Sequence, residues 1–329
     1  MKSQLVLTFA LLSAVTALAG ENDKKTIACP APPEDSWQFK LALPAWVAWI
    51  DGKAGMNGST AHVDLGPDDL IPKYDMAADV RAEAHKGRFS VMGEFLYLSL
   101  SDGIGTNTVV KKFDVRVDQT MADLGFGWRL IESERGYLDV VAGVRYTNLY
   151  QRLTLQPNDE RIDEVVDGLA TAVGSQLRAR LAKALVVLGG KDPTVPIAPL
   201  DGGEAARLAA KIARIKGTAA ERKAKIADLL HHALDRAVSR TDDWWDPYVG
   251  LRGRYNLNEK FYLTTKADVG GFGAGSDFTW QAEAALGVQL SKNIFTEIGY
   301  RALGVDYRQD GLVMDTITHG VQLTAGIAF

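Results

Sequence analysis

Apolar residues fall on alternate positions in segment after segment of this chain, and a period of two limits the fold to half-buried strands. In "FTWQAEAALGVQL", Phe278, Trp280, Ala282, Ala284, Leu286, Val288 and Leu290 share one face. The same phase runs through Phe39, Leu41, Leu43, Ala45, Val47 and Trp49, and through Ala122, Leu124, Phe126, Trp128 and Leu130. It recurs in Leu138, Val140, Ala142, Val144 and Tyr146, and in Val321, Leu323, Ala325, Ile327 and Phe329. Segments of roughly 9 to 11 residues suit a tilted strand that crosses a bilayer. About ten are present, with eight or twelve as alternatives.

Connections alternate in length. Short ones surround Lys86, Ser133, Asn256 and Leu290. Longer ones run from Asp51 to Lys73, Ser101 to Lys111, Gln156 to Asp243, Phe272 to Asp277 and Arg308 to Met314. Short turns on one side and long loops on the other are the habit of an all-β transmembrane antiparallel up-and-down barrel, the short side being periplasmic. Aromatic girdles are expected at both ends: Trp37, Phe89, Trp128, Tyr137, Tyr255, Phe261 and Phe329 near the short turns, and Trp49, Tyr97, Phe113, Tyr150, Trp244, Trp245, Phe278 and Tyr307 near the long loops.

One interruption has a helical period. Ile162, Val165, Val166, Leu169, Val173, Leu177, Leu181, Leu185 and Leu188 are spaced as on one helical run, which stops at Gly189-Gly190. Pro193, Pro196 and Pro199 break the chain, and two further amphipathic helices follow, the last opened by a Thr218 to Glu221 capping box. The expected organisation is a signal peptide over 1–19, a periplasmic linker over 20–36, barrel strands one to five over 37–157, an extracellular α-helical insert over 158–242, and strands six to ten over 243–329. The first segment has the build of a cleaved secretory signal, with an apolar run closed by Ala17 and Ala19.

If the apolar faces meet lipid, the alternate positions face the lumen. These are Lys40, Asp79, Arg81, Glu83, Glu94, Asp123, Arg129, Asp139, Arg145, Arg252, Arg254, Lys266, Asp268, Glu283, Glu297 and Arg301. Acids and bases balance, which points to a plug of paired charges; an ion-selective pore would show a ring of one sign. Glycines 125, 127, 143, 250, 287 and 299 share this register, where they either make room for the arginines or ease strand coiling.

Other chemistry is thinly represented. With 37 Lys and Arg against 41 Asp and Glu, the chain lacks the basic balance of a nucleic-acid binder. Cys29 is the single cysteine, so disulfide frameworks and thiolate clusters are excluded. Asp64, Asp68 and Asp69 lack the spacing of a calcium loop, and "GGFGAG" from Gly270 has no following helix to make a phosphate site. His231 and His232 have no further ligand at a fixed offset, so no metal or cofactor is expected. His319 is the best catalytic candidate, in phase with the lipid face, but Val321 stands where a lipid hydrolase would need serine. The basic run Arg207, Lys211, Arg214, Lys216, Arg222, Lys223 and Lys225 is suited to lipopolysaccharide phosphates or another anionic surface.

The stretches "DPYVGLRGRYNL", "KADVGGFGAGSDFTWQAEAALGVQLS" and "EIGYRALGVDY", with "LALPAWVAWIDGKAG", "EFLYLSL" and "DVVAGVRY", resemble small bacterial outer-membrane β-barrel proteins of the porin-like or outer membrane protein A-like kind. The resemblance implies a place in the bacterial outer membrane and insertion by the barrel-assembly machinery, which would read the aromatic residue Phe329. It departs from the best-known members, which have eight strands and no helical insert of this size. The expectation is a structural or surface-interaction barrel with a plugged lumen and no enzymatic activity. A narrow porin or small-solute channel, a lipid-modifying enzyme of the outer membrane, and a soluble lipocalin-like barrel are the rivals.

Overall fold

The computed structural model describes residues 36–56, 59–189, 200–235 and 237–329. The signal peptide, most of the linker with Cys29, and the three prolines between Pro193 and Pro199 lie outside the described residues. The chain folds as two compact units. One comprises residues up to Leu100, Asp118–Leu149 and Asp242–Phe329; the other comprises Ser101–Val117 and Tyr150–Thr241.

The described residues form eleven strands: β1 (Gln38–Met56), β2 (Ser59–Leu65), β3 (Tyr74–Lys86), β4 (Phe89–Gly105), β5 (Val110–Ser133), β6 (Gly136–Pro157), β7 (Ala237–Asn256), β8 (Phe261–Gly270), β9 (Phe278–Gln289), β10 (Ile294–Gln309) and β11 (Leu312–Ala328). Each of β3 to β11 is bonded to the next, β1 is bonded to β3, and β11 returns to β1, so ten strands form a closed ring. The short β2 lies outside the ring and pairs with the Ile50–Met56 end of β1. Closure matters because a bilayer offers no water to an unpaired sheet edge.

The exposed side chains carry the lipid face. Phe278, Leu286, Leu124, Phe126, Trp128, Leu251, Leu263, Ile298, Val321, Leu323 and Ile327 are all exposed, whereas Asp139, Arg145, Asp268 and Arg301 are buried inside. A soluble barrel has the reverse polarity. Apolar outside and charged inside, in a closed sheet, is an outer-membrane-type transmembrane barrel.

Several strands exceed the expected length. β5 has 24 residues and β6 has 22, about twice what a tilted strand needs to cross the hydrocarbon. Hydrophobic alternation stops at the bilayer edge, but strand pairing does not depend on it. The stretches expected as loops at Asp51–Lys73 and Ser101–Lys111 are therefore largely strand. The connection near Arg308 is a two-residue hairpin, in which Asp310 and Gly311 both have positive φ (50° and 79°), as a primed turn requires. The return strand β7 starts at Ala237, ahead of the expected 243.

One stretch of wall is not laddered. The β1–β3 register covers Gln38–Ala42 against Arg81–His85 and stops there. Phe39 exchanges hydrogen bonds with Phe329 in β11's direction, so even-numbered residues of β1 point their N–H groups at β3. Pro44 is the next of these and has no N–H to give.

Among the described residues the second unit contains four helices: α1 (Asp159–Thr171), α2 (Gly174–Leu188), α3 (Gly202–Ala213) and α4 (Ala219–Leu234). The helical run expected as continuous to Gly189 breaks at Ala172 and Val173, both extended, so that α1 and α2 can each turn a face to one core. The Asn158 side chain caps α1, and reciprocal capping boxes start α3 (Asp201 with Glu204) and α4 (Thr218 with Glu221). The core includes Ile162, Val166, Leu169, Leu208, Ile226, Leu230 and Leu234, joined by Val110 and Phe113 from β5. Phe113 is thus a core residue of this unit, not part of a girdle. Trp244 and Tyr307 also leave the girdle: they stack on each other, buried, with ring centroids 4.1 Å apart.

Candidate functional site

The inward positions of the barrel meet as chains of alternating charge. Arg129 bonds Asp139 (3.0 Å), Asp139 accepts from Arg252 (2.8 Å), and Arg252 reaches Glu83 (2.9 Å), which also faces Lys40 at 3.6 Å. A second chain links Glu283 to Arg81 (2.9 Å), Arg81 to Glu94 (3.1 Å), and Glu94 to Arg301, which lies 3.6 Å from Asp79. In the third, Arg145 holds Asp123 (3.1 Å) and Asp268 (3.2 Å), with Lys266 3.7 Å from Asp268. Arg81 and Glu283, Arg301 and Glu94, and Arg252 and Glu83 are each four strands apart in a ring of ten, so these pairs span the lumen.

Burial makes pairing obligatory. Arg145 and Arg301 each expose 1% of their surface. A charge so placed is retained when its hydrogen-bonding capacity is met by partners. Among the described residues, Arg254 and Glu297 are the two of the sixteen inward charges that form no ion pair. Arg254 bonds Asn256 (2.9 Å), and Glu297 accepts from the Tyr262 hydroxyl (3.0 Å).

Neutral groups that the charge pattern overlooks complete the network. Gln281 accepts from Arg145 (2.9 Å) and Arg301 (3.4 Å), joining two of the chains, and Gln322 donates to Glu283 (2.9 Å) while accepting from Arg81 (3.1 Å). Cations also lie over aromatic faces: Arg129 over Tyr137 (4.0 Å), Arg254 over Tyr262 (3.6 Å) and Arg301 over Trp46 (4.8 Å). Tyr137 therefore faces inward, correcting its expected place in the girdle. Parity carried the signal, because Tyr137 precedes the outward Leu138 and Tyr262 lies between the outward Phe261 and Leu263.

The inward glycines do not clear space for arginines. A Cβ on Gly287 would overlap the Tyr262 ring, and one on Gly143 or Gly125 would press on Tyr248. At Gly250 and Gly299 the conflict is with the neighbouring strand backbone and at Gly127 with the Ser90 hydroxyl, so the room is made for tyrosines and for close strand approach.

Phe329 exchanges backbone hydrogen bonds with Phe39 and is 67% exposed. His319 is on the outer face, where Nδ1 shares a hydrogen bond with the Tyr300 hydroxyl (2.5 Å) and the ring stacks on Trp49. Asp69 accepts from the Gly66 backbone N–H at the start of a single helical turn, Pro67–Leu70, that also carries Asp68. In the helical unit, Arg207, Lys211 and Arg214 are exposed at one-turn spacing on and just after α3, Lys216 and Lys225 are exposed, and Arg222 is half-buried. Lys223 is engaged by Asp167 at 2.8 Å. Among the described residues, no group of three or more His, Cys, Asp or Glu side chains is arranged to hold a metal ion.

No protein-family model and no curated protein matches the sequence. Among solved structures the chain is similar to the outer membrane protease OmpT from Escherichia coli, at 11% identity over 92% of this chain and 99% of that one, with a TM-score of 0.46. It is also similar to Ail, the attachment invasion locus protein of Yersinia pestis, in complex with the heparin analogue sucrose octasulfate (8% identity, 90% and 99% covered, TM-score 0.31). A third is the toluene transporter TodX of P. putida (12% identity, 91% and 90% covered, TM-score 0.31). The barrel assignment rests on the chain's own ring closure and apolar exterior.

Proposed function

We propose that this chain is an integral protein of the bacterial outer membrane, with a lumen closed by ion pairs and a helical unit that makes contacts at the cell surface. The supporting observation is the set of lumen-spanning pairs from Arg81, Arg301 and Arg252 to carboxylates four strands away. A solute passing along the axis would have to break several buried pairs at once, each break costing about 3–5 kcal/mol. The role is non-catalytic. The surface role falls to the helical unit, where Arg207, Lys211 and Arg214 form an exposed basic row suited to lipopolysaccharide phosphates.

Planar-bilayer recording of the purified protein tests the closed lumen. A flat trace is expected, and discrete stepwise conductance would favour the channel reading instead. Retention on lipopolysaccharide-coated beads tests the surface role. The Arg207→Glu/Lys211→Glu/Arg214→Glu variant is expected to lose retention, and wild-type retention by that variant would show that the basic row does not bind.

A further inference from the structure

Between the charge network and the short-turn end of the barrel lies a cavity of about 200 Å³. Its inner end is formed by paired charges, among them Arg81, Glu94 and Glu283, and its outer rim includes Gln289, Phe295 and Ala328, next to the β9–β10 turn. Arg254 and Glu297 both line this space, and they are the inward cation and inward anion without ion-pair partners among the described residues.

The two are organised by one tyrosine. The Arg254 guanidinium lies 3.6 Å over the Tyr262 ring, while the Tyr262 hydroxyl donates to Glu297 at 3.0 Å. Tyr262 is itself held because Gly287 beneath it leaves room for its ring. Asn256 engages Nε of Arg254, which leaves the two terminal guanidinium nitrogens for a ligand. A rigid aromatic ring thus presents a cation on its face and an anion at its tip.

We propose that this cavity binds a small zwitterion, with the ligand's carboxylate on Arg254 and its ammonium group on Glu297. A ligand of one charge would neutralise one of the two groups and leave the other half-buried and unmatched, which is costly. The space corresponds to roughly seven water molecules, which suits a molecule of amino-acid or dipeptide size and excludes a lipid chain. Paired charges, among them Arg81, Glu94 and Glu283, lie at its inner end. It is compatible with a closed axis.

Titration calorimetry of the full chain in detergent with glycylglycine is the test, with N-acetylglycine as the anion-only analogue and glycinamide as the cation-only analogue. Saturable binding of glycylglycine is expected, at least tenfold tighter than either analogue. Arg254→Gln and Glu297→Gln should each weaken it at least tenfold, with the heat-shifted electrophoretic mobility of a folded barrel retained. Absence of saturable glycylglycine binding, equal binding of the three probes, or unchanged binding by the double variant would overturn the proposal. The analogue series uses the wild-type protein, so its outcome does not depend on the folding of any variant. The result is also separable from that of the conductance recording, which reads the network above the cavity.

Discussion

Phe39 and Phe329 close the barrel: each donates its backbone N–H to the other's carbonyl, at 2.8 and 2.9 Å, and their rings stack 5.8 Å apart. Deleting Phe329 removes both hydrogen bonds and the ring, for an expected loss of about 1–2 kcal/mol in folded stability. Phe329→Ala keeps the backbone pair and should lose less. Thermal unfolding in micelles separates the two, and equal loss would mean that the ring carries the whole effect.

Arg145 is the most heavily committed charge in the lumen, held by Asp123, Asp268 and Gln281. Arg145→Met leaves two buried carboxylates without their principal partner and should destabilise the barrel by about 3–5 kcal/mol in denaturant titration. A change below about 1 kcal/mol would show that water reaches these groups and that the charge network is loose.

Gly287 is expected to tolerate no side chain. Alanine there meets the Tyr262 ring and should cost about 1–3 kcal/mol through overpacking. Gly105→Ala is the internal control, since a Cβ at that position meets nothing within 4 Å. Matching losses at the two sites would point away from the tyrosine, because nothing crowds a Cβ at Gly105.

Pro44→Ala restores an N–H at the point where the β1–β3 ladder ends, opposite the position Asp79 would take if the register continued. Slower hydrogen exchange at the Trp46 and Ala48 amides is expected, with a gain of about 1 kcal/mol at most. Unchanged exchange would mean that something other than the proline keeps these strands apart.

How much of the structure was legible in the sequence depends on which force leaves a mark there. The lipid face was legible because burial in hydrocarbon acts on every second side chain, and Phe278 to Leu286 or Val321 to Ile327 preserve that phase without a break. The charges that meet in the lumen followed by parity. Strand length beyond the bilayer was not legible, because backbone pairing in the tips of β5 and β6 imposes no hydrophobic alternation. Aromatic residues were ambiguous for a related reason. Phe113, Trp244 and Tyr307 flank the stretches of apolar alternation, as girdle residues do, but they are buried by tertiary packing that a local pattern does not encode. Gln281 and Gln322 were missed because an amide bridging two charged chains has no compositional signature apart from its inward phase.

The orientation of the two faces is tested most directly by brominated-lipid quenching of single-tryptophan variants in bilayers. Trp128, 53% exposed on the outer face, should be strongly quenched by brominated acyl chains, whereas Trp46, which lies beneath the Arg301 guanidinium, should be shielded. Strong quenching of Trp46 together with a shielded Trp128 would contradict an apolar exterior around a charged lumen.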